Sequence, residues 1–152
     1  MPKLLIASAA FDAADAEADI VIIPGDFGPT PVRAMASAEA AFLKPVVMIA
    51  GKTELDGEDL VQRLAEGHRM SRNGRVQFLE QRSEVIEGVR FIGSHNAGLG
   101  FILAALEQPY EGPTVIVTYE SPPEDISAVM QTGKVARWIY PASTSEPLIV
   151  EI

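Results

Sequence analysis

Cysteine is missing from all 152 residues. Disulfides, thiolate zinc centres and cysteine nucleophiles are therefore excluded. Histidine occurs only twice, at His68 and His95, and tryptophan once, at Trp138. Cations are few: 12 Lys and Arg stand against 21 Asp and Glu, a formal net charge of −9. Nucleic acids and anionic membranes both demand a basic surface, so neither is expected as a partner of so acidic a chain. Long apolar runs are lacking as well, and none approaches the roughly 20 residues of a membrane helix. The opening Met1-Pro-Lys-Leu-Leu-Ile-Ala7 lacks the layout of a signal peptide and reads as a first core strand. No heptad pattern, low-complexity tract or internal repeat is present. These absences leave one soluble globular domain over residues 1–152, expected in the cytoplasm, whose 47% hydrophobic content is ample for a core.

What is there is organised around Asp19-Ile-Val-Ile-Ile-Pro-Gly-Asp26. Ile20 to Ile23 reads as a short strand buried on both faces, broken by Pro24-Gly25, with Asp26 just past its end. In open α/β sheets ligands gather at such carboxyl ends. Around it the chain alternates strand and helix. Lys3 to Ala7 is the first strand, followed by the small-residue turn Ser8-Ala9-Ala10 and a weakly specified helical turn over Ala13 to Ala18. Thr30-Pro31 starts a helix with a capping hydroxyl and a first-turn proline. Val32, Met35, Ala36, Phe42 and Leu43 share its inner face until Lys44-Pro45 stops it. Val46 to Ile49 is a third buried strand. Asp56 is expected to cap the next helix, with Asp59 in the capping-box position and Leu60, Val61 and Leu64 inward.

Beyond this point the period changes. Val76 to Leu79, Ser83 to Glu87 and Val89 to Gly93 read as strands, the last two joined at Glu87-Gly88, residues suited to a tight hairpin. A Gly-rich loop from His95 to Gly100 leads into a short apolar helix, Phe101 to Leu106. Thr114 to Thr118 is another buried strand. Glu124 to Gln131 is expected as a helix with Ile126, Val129 and Met130 inward. Val135 to Ile139 and Leu148 to Ile152 close the chain as strands. The pattern predicts a mixed, layered α/β domain.

Five pieces of this chain, in order, resemble the motifs of calcineurin-like metallophosphoesterases. They are Ile6-Ala-Ser-Ala-Ala-Phe11, Pro24-Gly25-Asp26, Ile49-Ala-Gly-Lys-Thr-Glu54, Val117-Thr-Tyr-Glu-Ser-Pro122 and Trp138-Ile-Tyr-Pro-Ala-Ser-Thr144. Val76 to Glu80 followed by Glu87 to Gly93 is similar to the family's central hairpin. The resemblance implies a layered α-β-β-α sandwich with mixed sheets, and a site where two metal ions bind a phosphoryl group and activate water. By that alignment, however, Ala9 and Phe11 stand for the first Asp and His. Lys52 and Thr53 stand for Asn and His, and Tyr119 for a lone His. Pro141, Ala142 and Thr144 replace Gly and two His. Asp26, the bridging carboxylate by resemblance, is the ligand that survives. A divalent ion needs several oxygen or imidazole ligands converging at about 2 Å. Without them the two-metal clamp loses its mechanism, so no metal or other cofactor and no catalytic residue is assigned.

The replacements form a remnant-site or ligand-binding set: Asp26, Lys52, Glu54, His95, Tyr119, Glu120, Tyr140 and Thr144. An uncompensated buried carboxylate is costly, and Lys52 either supplies the missing positive charge to Asp26 or points to solvent. Phe11, Tyr119 and Tyr140 either fill the old metal cavity, the preferred reading, or line a new pocket. Asp12, Asp26, Glu54 and Glu120 could converge as an all-oxygen site for a hard cation; most acidic residues are merely solvated. His95 is an acid, base or phosphate contact, or simply exposed. His68 beside Arg69 near a helix end suits the macrodipole as a structural cation. Gly98-Leu99-Gly100 is a fragment of an anion-cradling loop without the rest of a fingerprint. Ser8, Ser121 and Ser143 lack a His-and-carboxylate arrangement for hydrolysis.

Two functions remain. In the first, favoured here, the fold persists as a non-catalytic pseudoenzyme. It acts as a binding or scaffold module toward a protein partner or another copy of itself, with the final strand as a sheet edge. In the second, a phosphoesterase-like hydrolase or a binder of small phosphate-containing ligands is rebuilt around Asp26 on a metal-poor site.

Overall fold

The computed structural model describes residues 2–7, 18–57, 59–72, 74–97, 99–123, 129, 134–141 and 148–152. Within them, five strands form one mixed sheet: β1 (Lys3–Ile6), β2 (Ile20–Ile23), β3 (Val46–Met48), β4 (Val76–Phe78) and β9 (Leu148–Glu151). Their order is β4-β3-β2-β1-β9, with β9 antiparallel to β1 and the rest parallel. A second sheet holds β5 (Arg82–Ile86), β6 (Val89–Ser94), β7 (Thr114–Thr118) and β8 (Val135–Ile139) in that order. Here β5 is the antiparallel member. Four helices are described: α1 (Pro31–Ala41), α2 (Lys52–Leu55), α3 (Leu60–Ser71) and α4 (Leu99–Glu107). The α/β class and the two mixed sheets are as the sequence predicts.

Period-two alternation builds the layers, because successive strand residues face opposite sides. In β2, Ile20 and Ile22 join Leu4, Ile6, Val47, Val89, Phe91, Val115 and Val117 in a core between the sheets. Val21 and Ile23 turn the other way, into a core with Met35, Ala38, Phe42 and Phe78 on the α1 side. Ile92 and Ile116 face out of the second sheet toward Ile102 and Leu106 of α4 and Val129. Each central strand is buried on both faces, which is why its run is continuously apolar rather than alternating.

Local chemistry starts α1 where expected. Thr30 is extended and its Oγ1 accepts from the Arg33 N–H at 3.2 Å, with proline in the first turn. The hairpin at Glu87-Gly88 has positive φ at both residues, 52° and 79°, the pairing a tight two-residue turn requires. Other expectations are corrected. Helix α1 ends at Ala41, before the lysine and proline, so Leu43 leaves the helix and is 82% exposed. Its buried face is Pro31, Ala34, Met35 and Ala38, and Ala36 is exposed. Asp56 does not cap α3. Asp59 occupies the cap position in a left-handed conformation without a side-chain bond. α3 starts at Leu60, and its inward face differs from the expected one: Leu60 and Val61 are exposed, and Leu64, half-buried, packs on the core. The stripe turned inward is Leu64, Gly67, His68 and Ser71, one helical face at spacings of three and four.

The predicted turns and helix over Ser8 to Ala18 lie outside the described residues, apart from Ala18, which is buried. So does the predicted helix Glu124 to Gln131, except for helical, buried Val129.

Candidate functional site at the strand ends

The carboxyl ends of β2, β3, β6 and β7 deliver Asp26, the segment Ala50 to Glu54, His95 and Tyr119 to one place. Asp26 follows Gly25 and takes a left-handed φ of 56°, which Asp tolerates better than most residues because its short side chain bonds locally. Glu54 holds this turn. Its carboxylate is fully buried and accepts five hydrogen bonds. Oε1 takes the N–H groups of Asp26 (2.8 Å) and Gly51 (2.6 Å). Oε2 takes those of Phe27 and Gly28 (both 2.7 Å) and the Thr53 hydroxyl (2.9 Å). Bonds from neutral donors to a carboxylate are strong, so this buried charge is compensated by backbone dipoles rather than by a cation.

The Asp26 carboxylate is also engaged. Oδ1 accepts from the Thr53 N–H at 3.0 Å and lies 3.3 Å from its hydroxyl, whose proton favours the nearer Glu54. Oδ2 accepts from the Tyr119 hydroxyl at 2.7 Å. That bond is the main reason the Tyr119 phenol is pushed above its ordinary 10.0, followed by burial and the charge of Asp26. The Lys52 backbone N–H partly opposes the shift, and Glu54 adds to it. Tyr119 is thus kept as a protonated donor. The two loops touch directly, since a Cβ on Gly51 would stand 2.4 Å from the Asp26 nitrogen and 2.5 Å from its Oδ1.

His95 completes the group. Its ring stacks on Tyr119 with centroids 5.0 Å apart and 12° between planes. Nδ1 lies 2.8 Å from the Ala50 carbonyl, which can only accept, so Nδ1 carries a proton. The His95 backbone N–H meets both oxygens of Glu80 at 2.9 Å. Burial pushes the Glu80 carboxyl above its ordinary 4.5, opposed by that N–H and by the His95 ring.

The sequence-derived set is brought together in part. Asp26, Glu54, Tyr119 and His95 adjoin. Lys52 reaches the site through its backbone; its side chain is exposed, and Tyr119 occupies the place beside Asp26 considered for its ammonium. Glu120 is exposed, and its Oε1 accepts from Ala97 N–H at 3.1 Å, away from Asp26 and Glu54. Tyr140, half-buried, follows β8. Thr144, Phe11, Asp12, Ser8 and Ser143 lie outside the described residues, and Ser121 is exposed. Leu99 and Gly100 begin α4 rather than a loop. His68 lies in the last turn of α3 and has the expected structural role, through its bond to the Glu80 carbonyl; burial first, and Arg82 second, push its pKa below the ordinary 6.5, which works against the cationic form. Sequence reasoning missed Thr53 as a donor and Glu80 as the anchor of His95. Glu80 carried a readable signal, a carboxylate just past a buried strand, the same placement as Asp26.

A divalent ion at Asp26 would compete for lone pairs that already serve Thr53 and Tyr119, and Glu54 has none to spare. Among the described residues no three His, Asp or Glu are grouped to hold an ion. None of their buried side-chain polar atoms lacks a partner. The described residues do not fit the two-metal centre that the resemblance implies. No known family model matches the chain, and no curated protein sequence matches it.

Proposed function

We propose that this chain is a metallophosphoesterase-like sandwich that works without metal, as a binding or scaffold module rather than as a hydrolase. The observation that carries the reading is the Tyr119 hydroxyl on Asp26. It supplies a neutral proton donor where the family's architecture would bring a cation to the bridging carboxylate. Glu54, saturated by five protein donors, supports it: this carboxylate fastens the Asp26 turn and has no capacity left for a substrate. Two mixed sheets packed face to face, with these residues at their carboxyl ends, are the scaffold such a relationship requires. A protein partner or a second copy remains the preferred target.

Phosphatase and phosphodiesterase assays with p-nitrophenyl esters, run with manganese present, test the reading. The expected rate equals that of buffer. Turnover that disappears in Asp26→Ala would overturn it and establish a rebuilt hydrolase instead.

A further inference from the structure

Two cavities lie side by side between α3, β5 and the turn joining β4 to β5. One, of about 530 Å³, is lined by Arg72, Arg75 and Arg82 together with His68, Gln77 and Glu84. The other, of about 470 Å³, shares His68 and Arg82, has Leu55, Leu60 and Leu64 on its walls, and extends to His95. Each volume falls in the range of small-molecule sites, roughly 300–1,000 Å³.

Their charge runs against the rest of the chain. Three of the 12 cations, Arg72, Arg75 and Arg82, line the two cavities, against two of the 21 acidic residues, Glu84 in the first and Glu80 in the second. Arg75 is committed to the end of α1, donating to the Glu39 and Phe42 carbonyls at 2.9 and 3.0 Å and pairing with the Glu39 carboxylate at 3.6 Å. Arg72 and Arg82 are exposed and, among the described residues, carry no side-chain hydrogen bond or ion pair. His68 is fixed between them and the protein. Its Nε2 donates to the Glu80 carbonyl at 3.1 Å, and its ring lies 5.2 Å from Phe78. Two uncommitted guanidinium forks facing one concavity match an oxyanion with three or more oxygens better than a carboxylate with two.

We propose that the two neighbouring cavities, which meet at His68 and Arg82, together bind a small phosphate monoester with an apolar body. Arg72 and Arg82 take the phosphate, and the body lies over Leu55, Leu60 and Leu64 toward His95. This site is separate from the Asp26 carboxylate and does not depend on whether that carboxylate holds a metal. It also gives His95 a role at the end of a ligand groove.

Titrations of the full chain with hexyl phosphate, inorganic phosphate and hexanoate, followed by amide NMR shifts, test the proposal. Hexyl phosphate is expected to saturate, to bind more tightly than either of the others, and to move Leu64, His68 and Arg82. Arg72→Ala and Arg82→Ala are each expected to weaken it by about tenfold, the loss of one charged hydrogen-bonding partner. Both positions are exposed, so the variants should fold. Absence of saturation, affinity unchanged in the double variant, or equal affinity for hexanoate would each overturn the proposal.

Discussion

Asp26 sits in a backbone conformation that costs an ordinary L-residue about 1–2 kcal/mol, and the surrounding donors explain why it persists. Glu54 grips three consecutive N–H groups of that turn, while Thr53 and Tyr119 hold its side chain. Tyr119→Phe removes one bond to a charged acceptor. Because the position is half-buried and water can substitute, a loss of about 1–2 kcal/mol is expected in urea unfolding. The pH dependence follows from the raised phenol. A group protonated more readily in the fold contributes stability below its unfolded pKa and loses it as pH rises through the folded one. The gap between wild type and Tyr119→Phe should therefore hold up to about pH 10 and close above it. Glu80 has the same sign in a different window. Its carboxyl, raised by burial, makes wild type gain stability relative to Glu80→Gln as pH falls from neutral toward 4.5. Melting curves across that range check it, and an opposite slope would contradict the burial argument.

At the scale of single elements, α3 shows where hydrophobicity misleads. Glycine within a helix costs about 1 kcal/mol relative to alanine, so Gly67→Ala alone should help. Yet a Cβ there would stand 2.8 Å from Cδ2 of Phe78 and 3.2 Å from Cβ of Pro31. Phe78 is buried and cannot retreat, and overpacking of this kind costs about 1–3 kcal/mol. A net loss of about 1 kcal/mol is expected in chemical unfolding, whereas Leu43→Ser, at an exposed position, should change little. The strands were legible in the sequence because burial on both faces leaves continuous Ile and Val runs, as in β2 and β7. The buried stripe of α3 was not, because Gly67, His68 and Ser71 carry no apolar signature. Their small or hydrogen-bonded side chains are what allow close approach. Ser71 illustrates this, its hydroxyl donating to the Gly67 carbonyl and accepting from the Phe78 N–H.

Across the whole molecule, the alternation of each central strand assigns its residues to one of two cores and sets two sheets face to face. That arrangement carries residues distant in sequence, Asp26 and Tyr119, to a 2.7 Å contact. The sequence placed both at strand ends. What it could not supply was which side chain would hydrogen-bond Asp26, since that depends on the approach of the Gly25 and Gly51 loops and not on residue type. β9 lies at the edge of the five-stranded sheet, as expected of the final strand, and among the described residues no helix is long and apolar enough to cross a membrane. The central proposal, that Tyr119 and backbone donors stand where the resembled family would hold metal ions, is tested most directly by thermal unfolding in rising manganese or magnesium. A ligand bound only by the folded state raises stability by mass action, about 2.7 kcal/mol at a hundredfold excess over its dissociation constant. The account predicts a melting temperature that stays flat as either metal is added. A saturable rise that Asp26→Asn abolishes would contradict it.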